Sequence, residues 1–193
     1  MIAQINGRLI EKNPTHVVID CGGVGYEINI SLTTYSLIKE ENCKLYTHLV
    51  VREDAQSLYG FYEQKEKSMF LLLISVSGVG ASTALMLLSS LTVDEIQQSI
   101  IQGDAASLEK VKGIGKKSAQ RIIIDLRDKL AKGSPVLSNI APINNTVKDE
   151  ALSALVMLGF SKNIAEKTVD KILQSEESEI TVEELIKKVL KGL

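Results

Sequence analysis

The chain has 193 residues, a formal net charge of −2, 45% hydrophobic residues and only 4% aromatics, with no Trp. That length suits two or three small domains with cores of Ile, Leu and Val, and no apolar run approaches the ~20 residues of a membrane span. Met1-Ile2-Ala3 runs straight into alternating sequence, without the charged and apolar blocks of an export signal, so a cytoplasmic protein with no membrane partner is expected. Cys21 and Cys43 have no CxxC partner and lie in strand-like sequence, which predicts buried free thiols in a reducing compartment.

Residues 1–63 read as β-structure. Tyr26-Glu27-Ile28-Asn29-Ile30 alternates with period two, and Ile2 to Ile10, His16 to Asp20 and Lys44 to Val51 are further strands. Asn13-Pro14 and Gly22-Gly23 supply turns. About five short strands in this span predict a small closed barrel, of which the OB-fold is the frequent nucleic-acid-binding type.

From Glu63 the period becomes helical, and residues 64–132 read as a compact bundle of about five helices. Met69, Leu72, Leu73 and Val76 share one face, as do Ala119, Ile122, Ile123, Leu126 and Leu130. Thr92-Val93-Asp94-Glu95 is a capping box, and Asp104 caps the next helix. Residues 133–146 hold two prolines, three asparagines and no charge, and read as a flexible linker. Residues 147–193 then give three short helices, the last opened by the capping box Thr181-Val182-Glu183-Glu184. The fold class expected is therefore α+β and multidomain: a barrel, an all-α domain and a small three-helix bundle.

One phrase occurs twice. Ser77-Gly78-Val79-Gly80 and Lys112-Gly113-Ile114-Gly115 each join an apolar helix to a second helix. This is the helix-hairpin-helix pattern in tandem. Paired glycines let main chain approach a ligand without obstruction by Cβ. The free N–H groups and positive dipole end of the following helix make an anion site. Two such corners at fixed spacing suit two phosphates of a polynucleotide. Eight basic and four acidic residues give 103–132 a net +4, although the whole chain is acidic. The surplus thus sits on the second corner, at Lys112, Lys116, Lys117 and Arg121.

Other motifs fail on spacing. A Walker A loop ending at Gly115-Lys116 needs Gly at 110 and Ser or Thr at 117, and both positions are Lys. Gly23-Val24-Gly25 lacks a third Gly at 28, which is Ile, so no dinucleotide fingerprint exists. His16 and His48 are single and read as structural or exposed. No metal cluster, catalytic residue or cofactor is expected. Glu53-Asp54 reads first as a solvated hairpin tip.

Val51-Arg52-Glu53-Asp54-Ala55-Gln56, Leu58-Tyr59-Gly60-Phe61, the two hairpins and Gly22-Gly23-Val24-Gly25-Tyr26-Glu27 together closely resemble the RuvA family, bacterial subunits that bind Holliday junctions. The resemblance covers the whole chain. It implies an N-terminal OB-fold, a double helix-hairpin-helix domain and a mobile third domain. It implies a homotetramer, alone or paired with a second tetramer, that holds a four-way DNA junction open as a square. It further implies the hexameric RuvB ATPase and the resolving nuclease RuvC as partners, and a role in recombination and in repair of DNA damage.

Carried onto this sequence, the phosphate-binding residues are Gly78, Gly80, Ser82, Lys112, Gly113, Gly115, Lys116, Lys117 and Arg121. Glu53 and Asp54 become an acidic pin at the junction centre. Leu155-Val156-Met157-Leu158-Gly159-Phe160 resembles a ubiquitin-associated-type bundle, with Leu155, Leu158, Phe160 and Leu190 as candidates for contact with the motor. Ala81-Ser82-Thr83 departs from the pattern, because many members carry a Lys there. Two competing readings are a helix-hairpin-helix repair enzyme, which needs a carboxylate, Lys or metal near the hairpin, and a general single-strand binder, which needs exposed aromatics.

Overall fold

The computed structural model describes residues 2–131, 147–175 and 180–192. The linker read at 133–146 lies outside the described residues. The chain folds as two compact units, 1–140 and 141–193.

In the first unit, five strands close into a barrel in the order β1-β2-β3-β5-β4. They are β1 (Gln4–Lys12), β2 (His16–Cys21), β3 (Val24–Ile30), β4 (Asn42–Val51) and β5 (Gln56–Phe61). β1–β2, β2–β3, β4–β5 and β1–β4 pair antiparallel, and a short parallel pairing of β3 with β5 completes the ring. Alternation places Val17, Ile19, Ile28, Ile30, Leu45 and Leu58 inside. Gly60 is required by crowding: a Cβ there would stand 2.5 Å from the Ile28 Cγ2.

A helix absent from the sequence reading, α1 (Leu32–Leu37), follows β3. Its six residues are too few to show a period, and Ser31 caps it by accepting the Thr34 N–H at 2.9 Å. Cys43 is buried as expected, but Cys21 is half-exposed, with its thiol donating to the Asn6 carbonyl at 3.4 Å. Cys21 is the last residue of β2, beside the Gly22-Gly23 turn, and is only partly covered by the barrel core. His48 is half-buried and meets Phe70 edge-on at 6.0 Å; burial and the nearby Lys67 charge hold its imidazole below the usual range.

Among the described residues of this unit five helices follow: α2 (Gln64–Ile74), α3 (Ala81–Ser90), α4 (Val93–Gln102), α5 (Ala105–Glu109) and α6 (Lys116–Ala131). Their apolar faces meet in one core that includes Phe70, Leu73, Leu87, Ile96, Ile100, Leu108, Ile122 and Leu126. Phe61 at the end of β5 joins this core, its ring 4.9 Å from that of Phe70, so the barrel and the helices are continuous. The expected caps form: Thr92 and Glu95 make a reciprocal capping box on α4, and Asp104 accepts the Ser107 N–H at 3.2 Å.

A buried polar network pins the barrel to the helices. Glu66 on α2 accepts hydrogen bonds from the Ser31 hydroxyl and from the Thr34 hydroxyl, the latter at 2.6 Å. Thr34 in turn accepts the Tyr62 N–H at 2.9 Å. Lys67 donates to the Ala3 carbonyl at 3.2 Å, while Leu32 N–H and the Thr33 hydroxyl reach Ser89 and Leu88 on α3. Burial pushes the Glu66 carboxyl up, against the two hydroxyl hydrogen bonds that lower it.

Glu66→Ala should cost about 1–3 kcal/mol, because it strands two buried hydroxyls. A loss below about 0.5 kcal/mol in urea melts would show that the network carries little. The folded state also binds the Glu66 proton more tightly than the unfolded chain does. Its contribution is therefore complete below the ordinary carboxylate range and declines as pH rises through the raised value. Glu66→Gln should remove that slope.

The second unit holds α7 (Val147–Met157), α8 (Lys162–Ser175) and α9 (Val182–Gly192). Ala151, Leu155, Ala165, Val169, Leu185 and Val189 form its core. Gly159, at φ +97°, ends α7. The Phe160 N–H reaches the Leu155 carbonyl at 3.1 Å and the Gly159 N–H reaches Val156 at 3.0 Å, the two bonds of a Schellman motif. Thr181 and Glu184 cap α9 reciprocally.

Candidate nucleic-acid interface

The two corners repeat bond for bond. In the first, the Val79 N–H donates to Val76 at 3.0 Å and the Ala84 N–H to Gly80 at 3.0 Å; in the second, Ile114 donates to Val111 at 3.1 Å and Ala119 to Gly115 at 3.0 Å. Val76, Val79, Val111 and Ile114 are buried and anchor the turns, so the glycines between and after them stand in solvent. Gly78 and Gly113 have φ of +88° and +93°, which side-chain-bearing residues adopt only under strain.

Gly80 and Gly115 differ from that pair. Neither has positive φ, and a Cβ on either would meet nothing within 4 Å. The protein's own packing therefore does not require glycine there. Open space beside a helix start is what close approach of an external ligand requires.

The helix starts fit an anion. Gly80 is the N-cap of α3 and provides no side chain to bond its first-turn amides, unlike Ser31, Thr92 and Asp104 on α1, α4 and α5. Neither α3 nor α6 has an acidic residue in its first turn, whereas α4 has Asp94 and Glu95. The positive dipole ends at both corners are thus left uncompensated.

All nine residues assigned to phosphate from sequence are exposed: Gly78, Gly80, Ser82, Lys112, Gly113, Gly115, Lys116, Lys117 and Arg121. Met86, one turn beyond Ser82 on α3, is also exposed, at 44%. It is missing from the residues assigned by sequence, although aligning the two copies of the hairpin singles it out.

Glu53 and Asp54 are exposed at the tip of the β4–β5 hairpin, where the Arg52 N–H closes the turn on the Ala55 carbonyl at 2.8 Å. The apolar candidates of the third bundle separate. Leu155 is wholly buried, so its assignment to partner contact is corrected to the bundle core. The Schellman turn folds Phe160 back against that core, leaving it half-buried. Leu158 is 60% exposed and Leu190 is also exposed. Val156, Met157 and Ile164, which the sequence reading does not single out, are exposed as well, and Met157 reaches 86%. Among the described residues no group of three or more His, Cys, Asp or Glu could hold a metal ion, and no helix is long and apolar enough to cross a membrane.

Known families match three stretches of the chain. Residues 1–60 match the RuvA N terminal domain, residues 70–128 a SAM-like helix-hairpin-helix tandem, and residues 146–193 the RuvA C-terminal domain. The chain is 54% identical to the Holliday junction branch migration complex subunit RuvA of Christiangramia forsetii, over the full length of both. The chain belongs to the RuvA family. It is also 52% identical to the RuvA of Flavobacterium psychrophilum over both full lengths, and 46% identical to that of Cytophaga hutchinsonii over 99% of each. The RuvA N-terminal match falls on the barrel and its acidic tip, and the tandem match contains both glycine corners.

Proposed function

We propose that this chain is a non-catalytic subunit that binds four-way DNA junctions and recruits a RuvB ATPase for branch migration. The observation that carries the reading is the pair of exposed glycine corners, each opening a helix with no first-turn acid and with vacant space where a Cβ would stand. Main-chain amides there hold phosphate oxygens, and Lys112, Lys116, Lys117 and Arg121 add charge. Phosphates carry no base information, so recognition is of DNA shape. A repair enzyme or a single-strand binder is not favoured by full-length likeness to junction-complex subunits.

The finer assignments belong to the same reading. The strand order, with α1 between β3 and β4, supports naming the barrel an OB-fold; the three-helix unit is of ubiquitin-associated type. The division is 1–63, 64–132, a linker at 133–146 and 147–193. Four copies form the scaffold, alone or paired with a second tetramer, and RuvC acts on the same junction in the cytoplasm. Leu158 and Leu190, joined by Met157, offer the apolar surface to the motor.

Glu53 and Asp54 form the acidic pin, where their charge repels the phosphates of an uninterrupted duplex. Glu53→Gln with Asp54→Asn should raise affinity for linear duplex severalfold while leaving junction affinity within about twofold. Competition binding measures both. Unchanged discrimination between the two DNAs would remove the pin assignment.

A further inference from the structure

The two hairpins share one backbone but not one chemistry. Offset by the repeat, Ser82 stands where the second copy has Lys117, and Met86 stands where it has Arg121. The surrounding positions correspond: Ala84 matches Ala119 and Leu87 matches Ile122, and all four are buried. Ser82 and Met86 lie one turn apart on one face of α3, as Lys117 and Arg121 do on α6, and all four side chains are exposed. The hydrogen bonds of the two turns agree, so the faces are equivalent in position. One presents two cations, the other a hydroxyl and a thioether.

We propose that the first hairpin is a cation-free grip, in which Met86 makes an apolar contact with the deoxyribose face beside the phosphate held by the amides of α3. This rests on the reading of the hairpins as the DNA interface and goes beyond it by assigning Met86 and by making the two grips unequal. The thioether is flexible and polarizable, and it adapts to an irregular surface. A sugar edge offers such a surface next to each phosphate. The contact releases no counterion, so its strength is nearly independent of salt, whereas each cation of the second hairpin adds to the salt dependence. The arm is thereby held at one point by charge and at the other by shape.

The test uses the full-length protein and a fluorescent synthetic four-way junction, titrated at several salt concentrations. Met86→Ala, which retains helix propensity, should weaken binding about three- to tenfold with an unchanged salt slope. Ser82→Lys with Met86→Arg should steepen the slope of log K against log salt by up to about 1.8 per engaged subunit. Thermal melts of each variant separate loss of binding from loss of fold. An unchanged affinity for Met86→Ala in a folded protein would overturn the proposal, and so would an unchanged slope for the double variant. If the unaltered protein fails to prefer the junction over linear duplex, the hairpin reading itself falls. If that preference stands and only the variants are silent, the assignment of the first hairpin's face fails and the junction reading survives.

Discussion

Replacing Lys116 and Lys117 with Ala should weaken junction binding by at least about 100-fold at physiological salt and flatten its salt dependence. Both lysines are exposed in the first turn of α6, beside the corner at Gly113 and Gly115. Each phosphate neutralised by a cation releases counterions, so loss of two cations should reduce the slope by about 1.8 per engaged subunit. The effect compounds over the arms of a junction held by several copies. It should be alike for every arm sequence, because these contacts do not read bases. Stability should change little, since neither side chain is packed. A slope that stays the same, measured by fluorescence titration across a salt series, would place both lysines off the interface.

The glycines should divide into two classes. Gly78→Ala and Gly113→Ala force a side chain into positive φ and should each cost about 1–2 kcal/mol of stability. Gly80→Ala and Gly115→Ala meet no protein atom within 4 Å. At Gly80, an N-cap, Ala is poorer than Gly, but it also lowers the entropy of the unfolded chain, and the two terms oppose each other. Stability should therefore stay within about 1 kcal/mol for both. Junction affinity should nevertheless fall at least about tenfold if phosphate reaches the amides through the open space that the new methyl fills. Thermal melts and binding isotherms of the same preparations separate the classes. Unimpaired binding by a folded Gly80→Ala, Gly115→Ala double variant would mean that main-chain amides at these corners do not hold DNA.

The hairpins are legible in the chain because their physics is local. A glycine needed for positive φ, a second glycine two residues later and a new helical period occupy a few consecutive residues, and they do so twice. The barrel is legible from alternation, as at Tyr26 to Ile30. Glu66 is not, because its partners Ser31 and Thr34 lie more than 30 residues away and only the packing of α2 on the barrel brings them together. The third bundle shows the limit most clearly. Leu155 and Leu158 are identical in type and three residues apart, yet one is wholly buried and the other 60% exposed. The left-handed turn at Gly159, one residue after Leu158, ends the helix and returns Phe160 to the core. Cys21 also escapes the pattern: a period of two gives the face of a strand but not how deeply its last residue is covered.

Recognition of branched DNA by its geometry, through two solvent-facing glycine corners, is open to direct test. Its most direct measurement compares a four-way junction with a linear duplex of the same arm sequence, at one salt concentration, with the full-length protein. A junction preference of at least about 100-fold, a gap of about 2.7 kcal/mol, is expected. Equal affinity for the two DNAs would contradict it.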